Sequence, residues 1–461
     1  MPKQKLGRTD AMRLLMEGQE ALSQVESNGM RIDTEYANRM MAETQIKLDS
    51  MEEELKRDDV WKEWKKVYGD RANLDSNDQL GDIIFDKLKV PCEKRTASGK
   101  PSTDEEALER VKFPFIQRLV NRGKLYTARN TFLNGICEET VNGFLHPSFS
   151  LAIPTTYRSS ASLPNSQNWP IRILRTAMLI RQCFIPRDGH TMVEFDLASA
   201  EVRVSCCYHR DPTMMEYIGR NHDYHKDLAM QCYKLSKDQV TKPTRGAAKG
   251  GFVFASFYGD YYVNICQNLW NAIDQDDLKR TDGLGLKEHL AQQGITELGG
   301  LGRNPIPGTF EAHIKGIYED FWNRRFPVYS QWKIDWWEEY LRNGYCESLT
   351  GFVYRGINKR NEIINYPIQG SSFHCLLWTL IQVQKWLNGK RMRSKIIGQI
   401  HDSIILDIHL AEFDDVIAQV YRTMTVDIRR EWPWLIVPLE AEASRSDVNW
   451  FRKEEIKLQA A

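Results

Sequence analysis

The chain has 461 residues, with 62 Lys+Arg against 62 Asp+Glu and a formal net charge of zero. That length is more than one simple core fills and calls for about two to four domains, while 42% hydrophobic and 27% charged residues exclude a disordered or fibrous chain. A balanced charge excludes a globally basic nucleic-acid binder, so a surface for such a partner has to be local and offset by acidic surface elsewhere.

The nine cysteines are scattered without a CxxC pair. The adjacent Cys206 and Cys207 cannot chelate one zinc ion in the usual way, and no His cluster stands beside them, so the set reads as buried thiols of a reducing cytoplasm. The N-terminus lacks the apolar run of a signal peptide, and no stretch long enough to cross a bilayer is free of charge. A cytoplasmic chain without membrane contact is expected.

From about Asp10 to Gly69 the pattern is helical, with Met40, Met41, Leu48, Met51 and Leu55 near helical spacing. A helix is predicted around Gln79 to Leu88, followed by the basic Gly/Ser/Pro loop from Glu93 to Ser102. Thr103-Asp-Glu-Glu106 predicts a capping box. Thr191 to Leu197 reads as a strand. Lys395 to His401 and Ser403 to Ile408 read as a hairpin with His401-Asp402 at the turn, and the stretch from Val437 to Ser444 suits a further strand. Long, aromatic-rich helical patterns lie between, around Phe321-Trp322 and from Trp332 to Tyr340. Sheet segments at both ends of a helical insert imply a discontinuous domain.

Asp196 and Asp402 sit at the ends of apolar strands, where a carboxylate is disfavoured unless it has work to do. Two such carboxylates brought together across a sheet suit a pair of Mg²⁺ ions roughly 3.5–4 Å apart and in-line phosphoryl transfer; each alone reads equally as a strand-end cap. Arg245 and Lys249 share a helical face at i,i+4 and suit a triphosphate, the Arg as a planar fork and the Lys as a point charge. Phe254 and Tyr258 repeat that spacing and offer a flat apolar surface to a base and sugar. The alternative is an amphipathic helix with snorkelling basic ends.

Taken together, these segments resemble the motifs of family A (bacterial DNA polymerase I-like) DNA polymerases. Asp196-Leu-Ala-Ser-Ala-Glu201-Val-Arg203 is similar to D-x-S-x-x-E-x-R, with Ala198 for the usual Ser. The stretch Arg245 to Gly259 is similar to R-x3-K-x3-F-x3-Y-G, and Ile400-His401-Asp402-Ser403 to the H-D-E motif, with Ser403 where Glu is usual. Segments around Asn28 to Asp33, Asn73 to Leu80, Lys94 to Thr103, Arg158 to Asn168, Asn365 to Gly370 and Asn449-Trp450 extend the likeness over nearly the whole chain.

The resemblance implies an α+β right-hand polymerase fold, with a helical thumb (1–150, including N-terminal helices), an antiparallel-sheet palm (151–207 and 366–461) and helical fingers inserted in the palm (208–365). It implies template-directed addition of deoxynucleotides to a primer by two-metal-ion transfer, with Mg²⁺ or Mn²⁺ as cofactor. Asp196, Asp402 and the Leu197 carbonyl would hold the metals, and Lys249 would protonate the leaving pyrophosphate. Arg245, Lys249 and His225 would hold the triphosphate. Phe254 would pack on the sugar, Tyr258 near the nascent pair, and Glu201 would fill the space a ribose 2′-OH needs. Arg158, Asn165, Gln167, Asn365, Gln369 and His401 would meet primer–template DNA, where every minor groove presents similar acceptors. Lys94, Arg95 and Lys100 at the thumb tip would grip phosphates.

Three departures stand out. One residue is extra between Lys249 and Tyr258, which leaves the sugar-facing position open between Phe252 and Phe254. Ser403 replaces an acid, which makes that acid dispensable. The segment from Tyr261 to about Pro327 is longer than its family counterpart, and its glycines mark an inserted element over about 265–310. The thumb-like pattern begins within about thirty residues of Met1, so the expectation is a polymerase body without its own 3′→5′ exonuclease, with a separate exonuclease or replisome protein as partner; Met12, Leu14, Leu15 and Leu22 read first as residues packed on the thumb and second as the docking surface for that partner. A compact chain of this kind fits a phage origin and the host cytoplasm. A single-subunit RNA polymerase and a non-catalytic DNA-binding scaffold are the competing readings. Glu201 and the thumb-tip and Gln369 motifs argue against the first, and the presence of both Asp196 and Asp402 against the second.

Overall fold

Short, continuous apolar runs dictate the centre of the molecule. In this computed structural model, which describes residues 5–458 apart from 93, 94, 97, 112, 171–173, 221, 276, 277 and 303, five strands form one antiparallel sheet. They are β1 (His190–Leu197), β2 (Lys395–Ile400), β3 (Ser403–His409), β4 (Ala441–Ser446) and β5 (Glu454–Ile456), in the spatial order β5-β4-β1-β3-β2. Val193, Phe195, Leu197, Ile404, Leu406 and Ile408 belong to the main core together with the long helix Arg360–Gly389. Met192, Ile397, Ile400 and Ile405 belong to a second core with Met30, Ile32, Phe184 and Trp450. With both faces covered, β3 is buried along nearly its whole length. The sheet is discontinuous in sequence, as expected, with residues 198–394 inserted between β1 and β2.

Register follows from this burial, because a slip of one residue would exchange the two faces. Ser403 pairs with Asp196 and Ile404 with Phe195. The β2–β3 hairpin closes through His401 and Asp402, with His401 in the left-handed region at φ 50°. The Leu197 amide donates to the Asp402 carbonyl at 3.1 Å, so the hairpin turn is tied to the end of β1.

The N-terminal helix Arg8–Asn28 buries Ala11, Leu14, Leu22 and Val25 in the main core, and its Gly18 lies so close to Leu377 of the helix Arg360–Gly389 that a Cβ would meet it at 2.8 Å. Of the four apolar residues, Leu14 and Leu22 are consumed by the fold, packing in the main core rather than on the thumb, Leu15 packs against that core, and Met12 stays exposed. Residues about 55–119 build a separate core from Trp61, Trp64, Ile83, Ile84, Phe115 and Ile116. In place of the capping box predicted at Thr103 stands a simple N-cap one residue later: Asp104 accepts from the Ala107 amide at 2.8 Å. Seven cysteines are buried and Cys92 and Cys137 are partly so. Among the described residues no helix is long and apolar enough to cross a membrane.

Candidate active site

Asp196 occupies the penultimate position of β1 and Asp402 the hairpin turn beside it. Asp196 opens toward solvent, yet its surroundings are dense enough that desolvation, then the neighbouring charges of Asp402, Glu194 and Glu442, push its carboxyl up to about 7. Burial pushes Asp402 up to about 6, against the pull of the Arg158 cation. Two crowded carboxylates of raised proton affinity are what a hard divalent cation relieves, since its charge reverses both the desolvation cost and the mutual repulsion. The donor set, two carboxylates and the nearby backbone of Leu197, suits oxygen-preferring Mg²⁺, which keeps several waters and needs only one or two protein carboxylates. Among the described residues no group of three His, Cys, Asp or Glu side chains stands ready to hold a metal, which is consistent with a site completed by water and substrate.

After β1 the chain turns through Ser199, at φ 51°, into the helix Ala200–His209. Arg203 locks that turn by donating to the carbonyls of Ala198 and Pro438, at 3.0 and 2.8 Å, and pairing with Glu440. Glu201 therefore stands in the first turn. It is held from two sides, by an ion pair with Arg158 and by the phenol of Tyr258. Arg158 also donates to the Gln369 carbonyl at 3.5 Å.

Tyr258 ends the helix that begins at Lys242. Lys242–Ala248 is α-helical, Lys249–Phe254 is a π turn, and Ala255–Phe257 resumes the α form. A π turn takes one more residue than an α turn and is frequent at functional sites. The extra residue noted in the sequence is absorbed there. Lys249 Nζ lies 5.2 Å from the centre of the Phe254 ring, and Phe254 lies 6.3 Å from Tyr258. Phe252 is fully buried, 5.4 Å from Phe321. Phe254 thus shares a face with Lys249 and Tyr258, whereas Phe252 belongs to the core. Arg245 donates from Nε to Asp223 at 2.7 Å. His225 is buried beneath Phe254 at 6.0 Å, with neither ring nitrogen hydrogen-bonded, and desolvation followed by the charges of Lys249 and Arg245 pulls it down to about 4. Its ring stands edge-on to Phe254 and lines a cavity together with Arg245 and Asp223.

The remaining expected residues fall into separate places. Asn365 donates to the Tyr258 carbonyl at 3.0 Å. Gln167 donates to Ser159 and to Gln399 at 2.8 and 2.9 Å, and Gln399 donates to the His401 carbonyl at 2.8 Å, so one network joins the Asn165–Asn168 turn to the hairpin. Asn165 caps that turn, accepting from the Gln167 amide. Ser159 and Gln399 escaped the sequence analysis; a buried Gln inside the otherwise apolar β2 was the signal. His401 is exposed beside Asp402. Arg95 and Lys100 lie exposed on a loop far along the chain, Arg95 donating to the Gly99 carbonyl at 2.9 Å. Lys94 lies outside the described residues.

This arrangement, paired strand-end carboxylates facing a basic and aromatic helix, has known relatives. The profile of DNA polymerase family A matches residues 40–280 and 317–452. The chain belongs to DNA polymerase family A. Over 427 residues it is 28% identical to DNA polymerase I of Lactococcus lactis subsp. cremoris, covering 92% of this chain and 44% of that protein. It is 26% identical to DNA polymerase I of Bacillus subtilis, with 93% and 44% covered, and 26% identical to the DNA polymerase of Bacillus phage SP01, with 79% and 38% covered. The chain thus spans less than half the length of these relatives. In three dimensions it matches the POL domain of Pol1 from M. smegmatis, solved in complex with DNA primer-template and dNTP, with a TM-score of 0.73 at 22% identity, covering 95% of this chain and 70% of that one. The right-hand polymerase fold follows, with an antiparallel-sheet palm, helical thumb and helical fingers. The family match is interrupted over 281–316, where the described residues include the short helix Leu286–Gln292 and the glycine-rich stretch before Phe310.

Proposed function

We propose that this chain is a template-directed DNA polymerase that adds deoxynucleotides to a primer 3′ end. One observation carries the reading: Asp196 and Asp402 share the end of the sheet with Glu201, and Tyr258 of the fingers helix bonds to that Glu201. Asp196 and Asp402, with the Leu197 carbonyl, would hold Mg²⁺ or Mn²⁺, which when bound supplies charge stabilisation for the attacking and departing oxygens. Arg245 and Lys249 bind and orient the triphosphate. Both are partly exposed on the fingers helix, and Lys249, its ammonium 5.2 Å from the Phe254 ring centre, would give a proton to a departing pyrophosphate. Phe254 packs on the sugar. Glu201, fixed by Arg158 and Tyr258, excludes a 2′-hydroxyl. Arg158, Gln167, Asn365, Gln369 and His401 surround the primer terminus, and Arg95, Lys100 and Lys94 serve the duplex phosphates farther out.

We assign residues 1–150 to thumb, 151–207 and 366–461 to palm, and 208–365 to fingers, with the helix Arg8–Asn28 lying on the palm side. The reading extends to a cytoplasmic setting with primer–template DNA and deoxynucleoside triphosphates as partners, and to a chain that does not proofread. Primer extension with deoxy- and ribonucleotides tests the core of it. Extension with deoxynucleotides alone is expected; ribonucleotide-only extension would make it an RNA polymerase, and no extension at all a scaffold. Incubating a 3′-mismatched, end-labelled primer with Mg²⁺ and no nucleotides tests proofreading, and shortening that persists in Asp196→Ala would reveal a separate nuclease site.

A further inference from the structure

Asp196 has two direct partners across the sheet, Ser403 on β3 and Glu442 on β4. Residues directly opposite in antiparallel pairs share a face, with Cβ atoms about 4.5–5.5 Å apart. Ser403, Asp196 and Glu442 therefore form a row across one face. Ser403, the place where an acid was expected, is neutral and buried, and its hydroxyl donates to the Ile400 carbonyl at 2.9 Å. The other acids nearby are committed: Glu194 to Lys453 and Trp450, and Glu440 to Arg203. Glu442 is exposed and has no ion pair or side-chain hydrogen bond among the described residues.

We propose that Glu442 supplies the third negative charge of the metal site, from the β4 side, in place of the acid missing at Ser403. It acts through metal-bound water: no three ligating side chains converge directly among the described residues, and Mg²⁺ retains several waters whose hydrogens a carboxylate at this distance accepts. The inference rests on Asp196 and Asp402 being the direct ligands.

Manganese binding to the full chain, followed by electron paramagnetic resonance without DNA or nucleotide, tests it apart from activity. Glu442→Gln is expected to weaken Mn²⁺ binding about tenfold, within the range seen for outer-shell partners of metal ligands, while unfolding at the wild-type temperature. Adding Ser403→Glu to that variant is expected to restore binding, by returning the charge from the opposite strand. Wild-type affinity in Glu442→Gln, alongside weakened binding in Asp196→Ala, would overturn the role of Glu442 alone. Unchanged binding in Asp196→Ala would overturn the ligand assignment beneath it as well. Glu442→Ser, at the same exposed position, carries the same expectation should the glutamine variant not fold.

Discussion

The end of the sheet and the fingers helix face each other across the cleft, and they tolerate sequence change in opposite ways. Between Lys249 and Tyr258 the helix carries one residue beyond regular spacing, and a π turn at Lys249–Phe254 takes it up while Lys249, Phe254 and Tyr258 keep a common face. The strands β1 and β3 carry no such excess, pairing residue for residue from His190–His409 to Asp196–Ser403, and the one irregularity of the hairpin, a bulge in β2 opposite Ile405–Leu406, lies away from the carboxylates. The reason is periodicity. An extra residue turns a helix by about a quarter of its circumference, which one widened turn reabsorbs. In a strand it sends every later side chain to the other face.

The contrast is broken most severely at the carboxylates. Asp196→Ala or Asp402→Ala is expected to lower the extension rate by about a thousandfold or more, with primer–template affinity largely kept. A variant keeping a tenth of the wild-type rate would remove that carboxylate from the metal site.

Next come paired length changes. Deleting Gly250, which faces open space, restores K-x3-F spacing and a continuous α-helix. Extension is expected within about tenfold of wild type, a barrier change of about 1.4 kcal/mol. One alanine inserted after Val193 is expected to abolish activity and lower the unfolding temperature. Equal damage from both changes would show that the π turn is required rather than accommodating.

Glu201→Ala should relax sugar discrimination by about tenfold or more, in the range a filled or emptied pocket commands. Unchanged rejection of ribonucleotides in single-turnover incorporation would exclude it as the sugar gate.

Phe254→Tyr should improve dideoxynucleotide use, through one new hydrogen bond of about 1 kcal/mol. Phe252→Tyr should leave that use alone and cost about 1–3 kcal/mol of stability, because its hydroxyl would be buried without a partner. The reverse pattern would move the sugar contact to Phe252.

The smallest effect is on pH. Asp196 and Asp402 have folded values of about 7 and about 6, above the ordinary 3.8. The folded chain thus holds protons that the unfolded chain has released, so their contribution to metal-free stability falls as pH rises from about 4 to 7. Thermal unfolding across that window should decline more steeply for wild type than for Asp196→Asn, and Mg²⁺ should flatten the difference. Identical slopes would mean the carboxyls are not crowded in solution.

What the sequence determined by itself was local and periodic. Short apolar runs marked β1, β2 and β3, and they placed Asp196 and Asp402 at their ends. Helical spacing paired Arg245 with Lys249 and Phe254 with Tyr258, and the order of the segments carried the family. What only the tertiary structure decided was which of two permitted local states long-range packing selects. Phe252 and Phe254 are equal in sequence, and only burial against Phe321 separates them. Leu14 and Leu22 suit packing on the thumb equally well in sequence, and only the fold places them in the main core with the helix Arg360–Gly389. His225 sits in a phosphate-binding pattern, and only the fold buries its ring edge-on to Phe254. Thr103 and Asp104 are both competent caps, and the start of the following helix chose between them. Gln399 and Glu442 gain their meaning from strands distant in sequence. Periodicity is encoded by neighbours a few residues apart, whereas these choices depend on partners up to hundreds of residues away, brought close only when the sheet closes.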